Sequence, residues 1–245
     1  MVAAGHECHV LCPPASGDIN DRVEVNGLSI RRVADLARNL HIVDEEISAL
    51  NPDWVLVSSE DVGGGLLRAA HRCALGRFVY IAHTPQFFPF GPESWNPDPS
   101  AAALIRDANA VVVIGEHMAG YLREHLNVDA HVIHPPIYGK PPYPQLGKFA
   151  QGGVLMVNPC AVKGITIFLE LAARLPQIPF MALAGWGTTS DDRAAMSKLP
   201  NVRILESVPD INDVLAQTSI LLMPSVWYEG FGLIAMESML RGIPV

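Results

Sequence analysis

Cysteine is scarce in this sequence of 245 residues. The four present, Cys8, Cys12, Cys73 and Cys160, include no Cys-x-x-Cys pair, which argues against a disulfide framework or a zinc ribbon and for reduced thiols. A basic surplus is missing too: 17 Lys+Arg stand against 25 Asp+Glu, for a net charge of −8. A duplex nucleic-acid binder needs a basic face, so no nucleic-acid partner is expected. No like-charge tail exists, since residues 1–150 carry −6 and residues 151–245 carry −2. No apolar run approaches the roughly 18–20 residues of a membrane span, and no charged-then-apolar leader opens the chain. The expectation is a cytoplasmic protein without membrane association. What is abundant is apolar matter, 49% of residues, enough for one large core or two modest ones.

One segment crowds potential metal ligands, His6-Glu7-Cys8-His9-Val10-Leu11-Cys12. Its residues alternate as in a strand and no second cluster completes a site, so no metal and no cofactor is expected. Along the chain, short β-branched runs alternate with amphipathic stretches. Strands are predicted at Glu7–Leu11, Trp54–Val57, Phe78–Ala82, Ala110–Ile114 and His131–Ile133, with helices at Val62–Leu75, Ser100–Asp107 and Glu116–Leu126. Asn26-Gly27 supplies the positive φ angles of a tight hairpin turn between Val23 and Ile30. Repeated strand and helix at this spacing means βαβ units and a mostly parallel sheet.

Five prolines between His134 and Pro144 interrupt that pattern. It restarts with strands at Gly153–Val157, Phe180–Ala184, Val202–Leu205 and Ile220–Met223. The intervening helices are Ile165–Leu175, Asp191–Lys198, Ile211–Gln217 and Leu233–Leu240, and a last strand begins at Ile243. The reading is α/β, with two Rossmann-like doubly wound domains at 1–136 and 152–245 and a proline-rich linker at 137–151. Both ends read as cut. Met1–His6 looks like a helix tail stopped by Gly5, and Ile243-Pro244-Val245 starts a strand that nothing follows. A fragment of marginal stability, itself without transfer activity, is therefore expected.

The densest chemistry lies in Pro224-Ser225-Val226-Trp227-Tyr228-Glu229-Gly230-Phe231-Gly232-Leu233, followed by Glu237. A buried strand ends near Pro224, a loop carries Glu229, and a helix starts at about Gly232. Its glycines let backbone N–H groups approach a ligand, and the helix start favours an anion. Two carboxylates at the carboxyl end of a parallel sheet suit the hydroxyls of a sugar and a ribose. Isolated glutamates would instead read as a helix cap and a solvated face.

This segment resembles the Glu-x7-Glu signature of family 4 retaining glycosyltransferases, which use nucleotide sugars and have the GT-B fold, two Rossmann-like domains facing across a cleft. The resemblance implies that Glu229 contacts the transferred sugar, that Glu237 contacts the ribose, and that the backbone of Phe231, Gly232 and Leu233 faces phosphates or sugar. Val157-Asn158-Pro159-Cys160-Ala161-Val162-Lys163-Gly164 is similar to the family's diphosphate-binding turn, which makes Lys163 the cation on the β-phosphate. Many members carry an arginine where this chain has Asn158, so neutralisation falls on Lys163 unless Arg31, Arg32 or another basic side chain closes in. Gly185 in Ala184-Gly185-Trp186-Gly187 reads as a close backbone approach to the ligand. Leu205–Asp210 resembles the loop that holds the base, at Val208 and Asp210, with Asp210 as a plain helix cap the alternative. His83, at the end of a buried strand, matches the family's histidine against the transferred sugar; Glu116-His117 occupies a similar junction. Asp191-Asp192 reads as a helix cap, not a metal motif.

The resemblance thus implies transfer of a sugar from a nucleoside-diphosphate-sugar donor to an acceptor that the sequence does not specify, with His83, Glu229 and Lys163 as catalytic groups and no metal. The family's first strand and glycine-rich loop are not in the sequence. The alternatives are a catalytically silent nucleotide-sugar-binding fragment or partner subunit, and a GT-B nucleotide-sugar epimerase.

Overall fold

The computed structural model describes residues 1–14, 20–61, 63–136, 139–149 and 151–245. They form two compact units, Met1–His134 and Pro135–Val245. In the first unit, β1 (Cys8–Cys12), β2 (Asp21–Val25) and β3 (Leu28–Arg32) form a small sheet of order β1-β3-β2, with β1 parallel and β2 antiparallel to β3. The hairpin turn has positive φ at both Asn26 and Gly27, 51° and 77°, as a two-residue primed turn demands. This sheet corrects the expectation that Glu7–Leu11 belongs to the main parallel sheet. Pairing of β1 with β3 is long-range, and no local pattern encodes it.

The main sheet of the first unit is wholly parallel, in the order β4-β5-β6-β7. Its strands are β4 (Val55–Ser58), β5 (Phe78–Ala82), β6 (Ala110–Val113) and β7 (His131–Val132). Helices α2 (Gly65–Ala74), α3 (Pro99–Arg106) and α4 (Glu116–Leu126) connect them in turn. Phe78, Tyr80 and Ala82 of β5 are buried against Ile105, Met118 and Leu122. The sequence reading assigns no element to residues 33–53, yet α1 (Leu40–Leu50) lies there, with Val43 and Ile47 buried beside Ala69 and Ala74 of α2.

The second unit has one parallel sheet in the order β10-β9-β8-β11, from β8 (Gly153–Val157), β9 (Phe180–Leu183), β10 (Val202–Leu205) and β11 (Thr218–Leu221). Alternate residues supply two cores: Leu155, Met181, Leu183 and Leu221 on one face, Met156, Phe180 and Ala182 on the other. Val214 and Leu215 of α7 (Asn212–Leu215) join the first core. Phe168 of α5 (Ile165–Arg174) and Met196 of α6 (Ser190–Met196) join the second. Both faces are covered, as a parallel sheet requires. The helix α8 (Leu233–Leu240) ends the regular structure, and Pro244 O accepts from Leu221 N at 2.9 Å beside β11.

The end of the proline-rich stretch is fastened to the second unit. Leu146 and Gly147 donate their backbone N–H to Arg241 O, and Leu146 packs into the core below. Among the described residues no helix is long and apolar enough to cross a membrane, and no group of three or more His, Cys, Asp or Glu could hold a metal ion.

Candidate functional site

The strand order of the second unit dictates where a ligand can sit. From β8 the chain builds outward through β9 to β10, then crosses back to place β11 on the other side of β8. Connections therefore leave β8 and β11 in opposite directions, which opens a crevice at their carboxyl ends. Lys163 follows β8 and Glu229 follows β11, so the two flank this switch point.

Backbone contacts bring their loops together. Val226 N donates to Val162 O at 3.0 Å, and Leu222 N to Leu155 O at 2.7 Å. Gly164 stands at φ 82°, and a Cβ there would lie 2.2 Å from Pro224 O. Gly164→Ala should cost at least about 1–2 kcal/mol in folding stability from left-handed strain alone. Chemical denaturation checks this; an unchanged midpoint would show that the two loops are not so tightly apposed.

Three donors converge on one oxygen of Glu229. Lys163 Nζ reaches Oε1 at 2.6 Å, Trp227 Nε1 at 3.1 Å, and Ser225 Oγ completes the set. Lys163 Nζ also sits 4.6 Å from the centre of the Trp227 ring, a cation–π contact. Burial raises the pKa of Glu229, but the hydrogen bonds from Lys163 and Ser225 and the Lys163 charge more than offset it, leaving the carboxyl below its ordinary range. Glu229 is no helix cap: the residue before α8 is Gly232, at φ 75°, without a side-chain cap. The start of α5 at Gly164 likewise has no side-chain cap, but Ile165 N and Ile167 N donate to Cys160 O and Gly164 O. The start of α8 is therefore the better placed of the two to turn N–H groups toward an anion.

Glu237 is the fifth residue of α8. Burial raises its pKa above the usual range, and the positive charge of Arg241 only partly counters this. The structure does not pair it with Lys163 or Glu229. Phe231 and Leu233 are half-buried around Gly232. Val208 packs against the core below, while exposed Asp210 accepts from Asn212 N at 2.9 Å, a local contact just ahead of α7, whose N-cap residue Ile211 gives no side-chain cap. Thr189 and Asp192 form a capping box on α6, in keeping with the cap reading of that acidic pair.

Asn158 has its own task. It is buried, at φ 54°, and its Oδ1 accepts from Gly187 N at 2.9 Å. Gly185 is packed so closely on it that a Cβ would come 2.7 Å from Oδ1. The position that holds an arginine in many members is thus the buried inner support of the Gly185–Gly187 turn, and a longer cationic side chain placed there meets the closely packed turn. Asn158→Arg should destabilise the unit by about 2 kcal/mol or more and not strengthen anion binding. Thermal unfolding with and without pyrophosphate tests both points; a gain in pyrophosphate affinity would contradict the packing. Arg31 and Arg32 supply no replacement within their own sheet, being paired with Glu46 and Asp21.

In the first unit, His83 follows β5 directly. Its backbone N–H donates to Ser59 Oγ at 3.0 Å, and its ring Nδ1 lies 3.2 Å from Ser58 Oγ, so the last residue of β4 orients the ring. Thr84 Oγ1 and Gln86 Oε1 are buried in the loop that follows, with no protein partner. Glu116 and His117 are exposed on the first turn of α4. Sequence reasoning gave no role to Ser225 or Trp227. Their hold on Glu229 depends on loop geometry that no periodicity reports.

Solved structures similar in fold include WaaG, a glycosyltransferase involved in lipopolysaccharide biosynthesis, at 16% identity and TM-score 0.66 over all of this chain and 73% of that one. Another is Anabaena Alr3699/HepE in complex with UDP-glucose, at 19% identity and TM-score 0.64 over 88% of this chain and 66% of that one. TarM matches at 16% identity and TM-score 0.59 over 94% of this chain. The fold is GT-B. The chain spans 47% of TarM and 64% of a second HepE structure, bound to UDP and glucose. No curated protein sequence matches it. Residues 151–245 match the family described as glycosyl transferases group 1. Residues 1–138, more than half the chain, match Glycosyltransferase Family 4, and the chain belongs to that family.

Proposed function

We propose that this chain carries the donor-binding machinery of a retaining glycosyltransferase that takes a nucleoside-diphosphate sugar and passes its sugar to an acceptor hydroxyl. The observation that supports this best is the Lys163–Glu229 pair at the strand-order switch point, 2.6 Å apart between two helix starts that lack side-chain caps. Such a place offers a cation and N–H groups to a diphosphate, and a carboxylate to sugar hydroxyls.

In this reading Lys163 meets the β-phosphate. When the bond from the anomeric carbon to the diphosphate oxygen breaks, the electron pair leaves on that oxygen, and Lys163 with the helix starts stabilises it. The acceptor hydroxyl oxygen bonds on the face the diphosphate leaves, which retains configuration at the anomeric carbon, and its proton passes to the departing phosphate oxygen. Glu229 holds hydroxyls of the sugar as it gains positive charge, and Glu237 holds the ribose. His83 is the first unit's candidate for a contact to the transferred sugar. Backbone groups at Gly185, Val208, Phe231, Gly232 and Leu233 are proposed donor contacts, and no metal takes part.

A panel of nucleotide sugars screened by thermal shift tests the reading. A donor at 100 times its Kd should add about 2.7 kcal/mol of stability. Lack of stabilisation by every member of a panel covering uridine, guanosine, adenosine, cytidine and thymidine diphosphate sugars would overturn it.

A further inference from the structure

Trp186 has 74% of its surface open to solvent, the most of any large apolar side chain among the described residues. Yet it stands on a firmly held turn. Gly185 N donates to Thr188 Oγ1 at 3.1 Å, Thr188 N to Gly185 O at 3.2 Å, and Gly187 N to the buried Asn158 Oδ1 at 2.9 Å. The inner side of the turn is filled: a Cβ on Gly185 would meet Asn158 at 2.7 Å, and one on Gly187 would meet Cys160 Sγ at 2.8 Å. The turn is packed down on Asn158 and Cys160, and the indole is left in solvent. A large apolar ring on a fixed support beside a ligand crevice presents an open face on which a flat group can lie.

Its place along the sheet edge says by what. The carboxyl ends of β11, β8 and β9 are neighbours in that order, with strands about 4.8 Å apart, and they carry Glu229, Lys163 and Trp186 respectively. The ring of Trp186 lies 6.3 Å from that of Trp227, tilted by 39°. Trp227 in turn gives its N–H to Glu229 and its face to Lys163. The series therefore runs carboxylate, cation, exposed aromatic. In a nucleoside-diphosphate sugar the matching series is sugar, diphosphate, nucleoside. The tilted pair is too close for a ring to slide between the two indoles, so a flat group would lie on the outer face of Trp186.

We infer that Trp186 is a stacking platform for the nucleobase of the donor, an inference that rests on the donor-site reading above. Stacking on an indole needs only the π-face of the base, so it adds affinity for nucleotides of any base and none for a bare diphosphate.

The test is calorimetric titration of UDP, GDP and inorganic pyrophosphate into the parent chain and into Trp186→Ala, Trp186→Phe and Lys163→Ala. Trp186→Ala should weaken UDP and GDP by about 10- to 100-fold and leave pyrophosphate unchanged. Trp186→Phe, which keeps an aromatic face, should stay within a few-fold of the parent for all three, and Lys163→Ala should weaken all three. Unchanged UDP and GDP affinity in Trp186→Ala overturns the platform. So does a parallel loss of pyrophosphate, which would mean a damaged turn. In both of those cases the donor site stands if Lys163→Ala still weakens all three ligands. If Lys163→Ala changes none of them, or the parent binds none, the donor-site reading falls and takes the platform with it.

Discussion

Lys163→Ala is expected to lower nucleotide-sugar affinity by about 2–3 kcal/mol, the scale of a charge-assisted contact, and to invert part of the pH dependence of stability. The second effect follows from what the lysine leaves behind. Glu229 is half-buried, and its carboxyl is held below the ordinary range because the hydrogen bonds and the lysine charge outweigh burial. A depressed carboxyl contributes stability that is present above the unfolded-state pKa and is lost as pH falls through the folded value. Without Lys163, burial loses its main opponent and the pKa rises. The parent should therefore gain stability as pH climbs through the interval between the depressed folded value and the ordinary carboxylate range, and the variant should gain less or lose. Lys163→Met is the sharper variant, since it keeps an aliphatic stem against Trp227. Urea unfolding of parent and variant across that interval, with nucleotide titrations at neutral pH, decides the matter. Superimposable pH profiles together with equal affinities would mean that the pair does not form in solution.

The same pair marks how far sequence reasoning reached. Lys163 and Glu229 were legible one at a time, each from a short run around a strand end. Their contact was not, because 66 residues separate them and it follows from β11 crossing back beside β8. Strands with branched or fully buried runs, such as Phe78–Ala82 and Gly153–Val157, came through with their bounds intact. Helix α1 did not, although Asn39 before it and the spacing of Leu40, Val43, Ile47 and Leu50 carry the signal of an amphipathic helix. In the structure Asn39 turns its amide back to Ala34 O and Asp35 O instead of capping. Asn158 shows a further limit. By composition of the motif it is a missing cation, whereas in space it is a residue in the left-handed region that supports a glycine turn. Asparagine suits that backbone region and arginine does not, a constraint that appears only once φ is known.

Glu229→Gln should lower turnover by roughly 10²-fold, about 2.7 kcal/mol, while nucleotide affinity holds or improves. The amide keeps the shape and can still accept from Ser225 and Trp227, the partners of Oε1. In the proposed donor site it removes the negative charge next to the sugar that would become positive as its bond to the diphosphate breaks, so the loss should fall on the transition state. It also releases Lys163, which in the parent is divided between Glu229 and any incoming phosphate. A cation freed from its internal partner has more to give a diphosphate, so UDP or GDP should bind at least as tightly as before. Glu237→Gln should behave in the opposite way. Its proposed ribose contact is the same in ground and transition states, so the Michaelis constant for the donor should rise with little change in turnover. Glu237 is also held partly toward its protonated form by burial, so the neutral amide should be tolerated in the fold. Steady-state kinetics of both variants, paired with nucleotide titrations, separates the two roles. Should Glu229→Gln leave turnover intact and cost only stability, the carboxylate is a structural partner of Lys163 and the sugar is held by other groups.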